Sequence, residues 1–250
     1  MNIFLTNDDG FQAPGIQALY KVLCRNHHVV LVAPDREKSA VSHGITLHHP
    51  MRIQEMPGGD GGRVFAVDGT PADCVKLGLS ECVETPPDML ISGINPGTNV
   101  GIDINYSGTV AAAREGTLNG IMSMAVSMKI SRVMAYEQMA GFTARTAETI
   151  LQHGLPSGTF LNINAPGGAF SKIAGVKITC QAFDNLSRCF DKRRDPKQRC
   201  YFWYGNQEPV SGAQDTDVHA IAQNYLSITP VRCDITDYRA MGEMPVFSLD

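Results

Sequence analysis

Asn2-Ile3-Phe4-Leu5-Thr6-Asn7-Asp8-Asp9-Gly10-Phe11-Gln12-Ala13-Pro14 is the stretch from which the rest of the chain is read. Its apolar run, Ile3-Phe4-Leu5, has the length of a buried strand and is too short for a helix. The run stops at two adjacent carboxylates, Asp8 and Asp9, with Gly10 directly behind them. Like charges side by side at a strand end repel one another and lose hydration, so they require a cation or full exposure to water. Gly10 permits a sharp turn, and Pro14 suits the first turn of a helix. In open α/β sheets ligands bind at the carboxyl ends of strands. The pair is therefore expected to hold a divalent metal; the plainer reading of Asp-Asp-Gly is an Asx-type turn without a ligand.

Working outward, Ile16, Leu19, Tyr20 and Leu23 recur at i, i+3, i+4 and i+7, the stripe of an amphipathic helix. Val29-Val30-Leu31-Val32-Ala33 is apolar throughout, as a parallel strand covered on both faces must be. Strand, helix, strand makes a βαβ unit, and the expected fold is α/β, Rossmann-like, with a mostly parallel sheet flanked by helices. Further strands are expected at 63–67, 89–91, 124–126, 160–164, 176–178 and 225–229. Thr70-Pro71 reads as an N-cap and first position of a helix through about Leu79. Helices are also expected at 109–119 and 135–153. From Phe183 to Gly212 charge, aromatics and turn residues mix without period, which reads as a hairpin or arm outside the core. No repeat and no clean linker appears, so 1–250 is taken as a single domain, with a core to about 180 and an arm and C-terminal segment over 181–250.

The chain has 250 residues, 43% of them hydrophobic and 18% charged, enough for a full core. A formal net charge of −4 argues against binding of nucleic-acid duplexes, though not against a small anionic substrate. The seven cysteines cannot all pair within the chain and show no Cys-x-x-Cys spacing, so reduced thiols are expected. The chain opens directly on a strand and has no apolar run long enough to span a bilayer. We therefore expect no signal peptide, no membrane association and a cytoplasmic location.

Three loops follow three expected parallel strands: Asp8-Asp9, Ser39 to Ser42, and Asn95 in Ser92-Gly93-Ile94-Asn95. All open on one edge of the sheet and together offer two carboxylates, a hydroxyl and an amide oxygen. That is an all-oxygen shell for Mg²⁺ or Mn²⁺ with positions left for water and phosphate. Tyr106-Ser107-Gly108-Thr109 enters a helix and reads as a phosphate cradle or, more plainly, as an N-cap. His43 is read either as a phosphate or proton group or as an exposed loop histidine. Lys192-Arg193-Arg194 with Lys197 and Arg199 is read as a solvated basic face or as a reach for an anionic substrate. Gly-x-Gly-x-x-Gly, Gly-x-x-x-x-Gly-Lys and Gly-x-Ser-x-Gly are all missing, which disfavours a dinucleotide site, a P-loop ATPase and an α/β-hydrolase.

Several of these motifs, in this order, resemble the survival-protein E (SurE) family of metal-dependent nucleotidases. They are Leu5-Thr6-Asn7-Asp8-Asp9-Gly10 with Ala13-Pro14-Gly15-Ile16, Val32-Ala33-Pro34-Asp35-Arg36 leading to Ser39, and Gly69-Thr70-Pro71-Ala72-Asp73-Cys74-Val75. Ser92-Gly93-Ile94-Asn95, Tyr106-Ser107-Gly108-Thr109-Val110-Ala111-Ala112-Ala113, Thr216-Asp217 and Tyr225-Leu226-Ser227-Ile228-Thr229-Pro230 complete the set. The resemblance implies hydrolysis of nucleoside 5′- and 3′-monophosphates, with short polyphosphate as a further substrate. It implies one divalent ion per subunit held by Asp8, Asp9, Ser39 and Asn95, and a homodimer or homotetramer built with an extended hairpin and an exchanged C-terminal segment. On this reading Ser107, Gly108 and Thr109 hold phosphate and Asp9 is the general base. The rivals are a nucleotide-binding regulatory module without turnover and a scaffold built on the arm. Departures from the family pattern are Ala40 where Gly is common, Ile102 where an acidic residue is common, and Gly97-Thr98-Asn99 where Gly-Pro-Asn is common.

Overall fold

The computed structural model describes residues 1–59, 61–183, 190–204 and 213–248. Its first strand, β1 (Asn2–Thr6), is buried on both faces, and the two-residue period of a strand divides its side chains between two cores. Ile3 and Leu5 face helices α1 (Pro14–Leu23) and α4 (Tyr136–His153), meeting Ile16, Leu19 and Met139. Phe4 faces the opposite layer, with Val32, Val75 of α2 (Pro71–Glu81) and Ala112 of α3 (Gly108–Leu118). Each large side chain so buried stabilises the fold by about 1.5–3 kcal/mol against leaving it in water.

The parallel strands β2 (His28–Pro34), β4 (Arg63–Val67), β5 (Met89–Pro96), β6 (Met122–Met128) and β7 (Thr159–Ala165) surround β1. With β3 (Ile53–Met56), β8 (Val176–Ile178) and β11 (Leu226–Arg232) they make one sheet, ordered β3-β4-β2-β1-β5-β6-β7-β11-β8. The chain builds to one side of β1 through β2 and β4, then crosses over to place β5 on the other. The switch point therefore falls where the carboxyl ends of β1 and β5 meet, with Thr6 opposite Ser92. The fold is the Rossmann-like one expected.

Four details differ from the sequence reading. β5 extends past Ile91 to Pro96, with a slip in register between Ser92 and Asn95, so Asn95 lies on the strand rather than in the loop after it. β3 was not foreseen: Ile-Gln-Glu-Met is a half-polar edge strand, antiparallel to β4, without a covered face to impose a pattern. The helices α5 (Asp217–Ala222) and α6 (Tyr238–Glu243) are too short for periodicity to register. The core, expected to end near 180, takes one more strand from beyond it, because Leu226 and Ile228 are buried and β11 pairs antiparallel with β7. Within the irregular 183–212 stretch, β9 (Phe190–Arg194) and β10 (Cys200–Tyr204) form a separate exposed hairpin. Residues 184–189 and 205–212 of that stretch lie outside the described residues, as does Cys189. None of the six described cysteines is in a disulfide, and no described helix is long and apolar enough to cross a membrane.

Candidate active site

The turn after β1 is braced from within. Asn7 Nδ2 donates to Gly10 O (2.9 Å), and the Gly10 N–H donates back to Asn7 Oδ1 (3.2 Å). Gly10 has φ +101°, which a side chain would strain. Two further bonds join the turn to the end of β2 and the segment after it: Phe11 N–H to Pro34 O (3.0 Å) and Lys38 N–H to Asp8 O (2.7 Å). Behind the turn Gly15 lets α1 sit on β5, since a Cβ there would stand 2.0 Å from Ile94 O.

Asp8 is 4% exposed and abuts the first turn of α3. Thr109 Oγ1 donates to Asp8 Oδ1 at 2.5 Å, and a Cβ on Gly108 would stand 2.9 Å from Asp8 Cβ. Ser107 caps this helix, its Oγ accepting from Val110 N–H (3.1 Å). The free N–H groups and dipole of a helix start favour an anion there. The Asp8 carboxylate already lies against that positive end.

Burial raises the Asp8 carboxyl above the usual carboxylate range, with the Thr109 hydrogen bond working against it. Burial first, then the charges of Asp8 and Glu37, push Asp9 up to about 7. Asp9 Oδ2 is buried and unpartnered. A buried oxygen without a donor is costly, and a divalent cation supplies what it lacks. No group of three or more His, Cys, Asp or Glu among the described residues is arranged to hold a metal. A cation here would need hydroxyl, amide or water oxygens beside the two carboxylates, which is the chemistry of the Ser39 and Asn95 side chains.

Asn95 is half-buried near the end of β5, its Nδ2 spent on Gly97 O (2.8 Å). Ser39 is exposed and its Oγ donates to Glu37 Oε1 (2.7 Å). The contacts among the residues expected at the site therefore join Asp8 to the Gly108–Thr109 turn, with the Ser39 loop tied alongside through Lys38. His43 lies against Glu115 of α3 rather than at the turn after β1. The basic run sits on the β9–β10 hairpin, where Asp195 engages Lys197 N–H and the Arg199 guanidinium.

Four participants escaped the sequence reading. Glu37 stands two residues before Ser39, and its carboxylate type was the available signal. Tyr136, at the start of α4, is close enough that the Asp9 charge adds to burial in raising its hydroxyl. Asn162 and Asn164, on one face of β7, hold the backbone of Asn99: Asn162 Nδ2 donates to Asn99 O (2.7 Å) and the Asn99 N–H donates to Asn164 Oδ1 (2.8 Å). Their i, i+2 spacing on a buried strand was a visible clue.

Comparison with known proteins agrees with the fold. The family model described as Survival protein SurE matches residues 3–188. A 5′-nucleotidase SurE of Desulfatibacillum aliphaticivorans is 43% identical over 251 residues, covering 100% of this chain and 99% of its own. The one from Geobacter sulfurreducens is 44% identical, covering 100% and 94%. The crystal structure of the SurE protein from Aquifex aeolicus superposes with a TM-score of 0.86 at 36% identity, covering 98% of both chains.

Proposed function

The chain belongs to the survival protein SurE family, and from that premise we propose that it is a divalent-metal-dependent 5′-nucleotidase. The observation that carries the reading is the Asp8–Asp9 pair: Asp8 is buried against the first turn of α3, and half-buried Asp9 has a buried, unpartnered Oδ2. Asp8, Asp9, Ser39 and Asn95 would hold one Mg²⁺ or Mn²⁺ per subunit, which when bound polarises the phosphoryl group and lowers the pKa of water. The N–H groups of Gly108 and Thr109 and the Ser107 hydroxyl hold the phosphate oxygens. Thr109 orients Asp8 and favours its ionised form against the burial that opposes it. Asp9 is also the general base, accepting a proton from the attacking water; the cation it holds would draw its carboxyl down from the value of about 7 that burial and the Asp8 and Glu37 charges give it without metal.

The substrates are nucleoside 5′-monophosphates, with 3′-monophosphates and short polyphosphate as secondary ones, and the compartment is the cytoplasm. The chain acts as a single nucleotidase unit in a homodimer or homotetramer. Support for assembly comes from large apolar side chains left in water on the hairpin, Phe190 and Trp203 at 60% each, and on the tail, Val246 at 99%. Purified protein given adenosine 5′-monophosphate and Mn²⁺ should release phosphate, and a folded Asp9→Asn variant should not. Tight nucleotide binding without phosphate release would overturn the proposal in favour of a regulatory module.

A further inference from the structure

The loop that carries Ser39 is held in an unfavourable shape. Ala40 and Ser42 have φ of 55° and 54°, left-handed backbone that non-glycine residues keep only where their surroundings over-determine it. What holds it is a row of anchors running from the turn after β1, past the residues that precede α3, to Glu115 on α3 and the start of α2. Lys38 N–H bonds Asp8 O at the helix start (2.7 Å). Next, the Ser42 N–H donates to Tyr106 O (3.0 Å) and Ser42 Oγ to Asn105 O (2.6 Å). His43 Nε2 then stands 2.8 Å from Glu115 Oε2, roughly two turns below Thr109. Beyond it Thr70 Oγ1 donates to Gly44 O (2.8 Å) and Thr46 Oγ1 to Asp73 Oδ2 (2.7 Å).

Among these anchors Glu115 has partners on three segments. It is 6% exposed, and its other oxygen takes Lys76 Nζ of α2 (3.2 Å) and Asn119 Nδ2 (3.0 Å). The His43 contact is the largest reason its carboxyl is pulled down to about 2. Both helices that Glu115 joins begin near the site: α3 at Thr109, which bonds Asp8, and α2 at Thr70, which bonds the loop.

We infer that Glu115 is a positioning residue: through His43 it fixes the Ser39–Ser42 loop against the first turn of α3, so that Ser39 meets the metal and phosphate already ordered. The inference rests on the nucleotidase reading for its kinetic consequence, and on the observed contacts for its structural one. An ordered loop spares binding the entropy of fixing it. Losing the anchor should therefore weaken ligand capture more than it slows the chemical step. Partners one shell outside a metal site typically change its affinity by about 10–100-fold.

The test uses the full-length protein and the variants His43→Ala, His43→Gln and Glu115→Gln. Mn²⁺ binding is measured by calorimetry without nucleotide, backbone amide exchange is followed over residues 39–44, and kinetics are run with adenosine 5′-monophosphate. His43→Ala should weaken Mn²⁺ binding and raise KM by about 10-fold each, with kcat within about threefold and faster exchange in the loop. His43→Gln, whose amide can reach the same carboxylate, should recover most of the loss. His43→Ala truncates a partly exposed loop side chain and carries the test if Glu115→Gln does not fold. A lower melting temperature with wild-type Mn²⁺ affinity and KM would overturn the inference, as would faster exchange without weaker Mn²⁺ binding. Wild-type protein that binds Mn²⁺ but releases no phosphate would instead refute the nucleotidase reading, while calorimetry and exchange still judge the role of Glu115.

Discussion

Asp9 and Glu115 are both acids drawn into the protein, and the fold treats them oppositely. Glu115 takes hydrogen bonds from His43, Lys76 and Asn119, and its carboxyl falls to about 2. Asp9 keeps an unpartnered oxygen beside two more carboxylates and rises to about 7. The satisfied acid stabilises the fold as an ion. The unsatisfied one opposes the fold as an ion, which is what the proposed metal-holding role of Asp9 accounts for. How completely its partners are supplied, more than burial alone, separates the structural acid from the functional one.

The strongest way to break this contrast is Asp9→Asn. Hydrolysis should fall by about 10³-fold or more, while at pH 8 the metal-free variant should melt about 2–4 °C higher than wild type, because an ionised group that opposes folding has gone. A lower melting point would mean that Asp9 is satisfied after all. Next in size is Thr109→Val, which keeps the shape and removes the donor to Asp8. It should cost about 2 kcal/mol of stability, and kcat/KM should fall by roughly 10- to 100-fold as the carboxylate loses its orientation. Thermal denaturation and steady-state kinetics read both.

The Glu115 side of the contrast is sharpened by acid. Its folded pKa is depressed below the unfolded value, so its contribution is fully present above about pH 4.5 and is lost as pH falls toward 2. Glu115→Gln should flatten the stability profile in that window, by about 2–3 kcal/mol in denaturant titrations. An unchanged acid limb would show that other carboxylates control it. The smallest effect belongs to Lys76→Met. Lys76 is half exposed, and the pair should be worth under about 1 kcal/mol, visible as a shift of one or two degrees in melting temperature.

The same contrast explains what could be read from the sequence. Ile3-Phe4-Leu5 and Val29 to Ala33 announced buried parallel strands because their neighbours cover both faces, and the Asp8-Asp9-Gly10 turn announced a charge problem at a strand end. These signals are local. Glu115 gave no such sign: in Arg114-Glu115-Gly116 it reads as a solvent-facing helix residue, and only the packing of a loop 72 residues earlier in the chain removes it from water. Asp217 is the same kind of case. It accepts from the N–H groups of Gly101 and Ala182, partners far away in sequence, and so ties α5 to the 3₁₀ turn at Gly101–Asn105. β3 and the short helices were illegible for a different reason, since half-exposed elements of four to six residues leave no periodic trace.

The place of β11 has a consequence for how the protein is made. β11 lies between β7 and β8, so β8, though synthesised first, has no neighbour in the sheet until residues 226–232 exist. The β1–β5–β6 edge that carries the candidate site is complete by Met128, whereas the outer edge of β7 stays open while the ribosome adds the next 67 residues. At about 5–20 residues per second that interval lasts several seconds. Throughout it the nascent chain presents an apolar strand edge, a template for pairing with the wrong chain. Slow codons or a late truncation between Ala165 and Arg232 should therefore harm the yield of soluble protein far more than its chemistry.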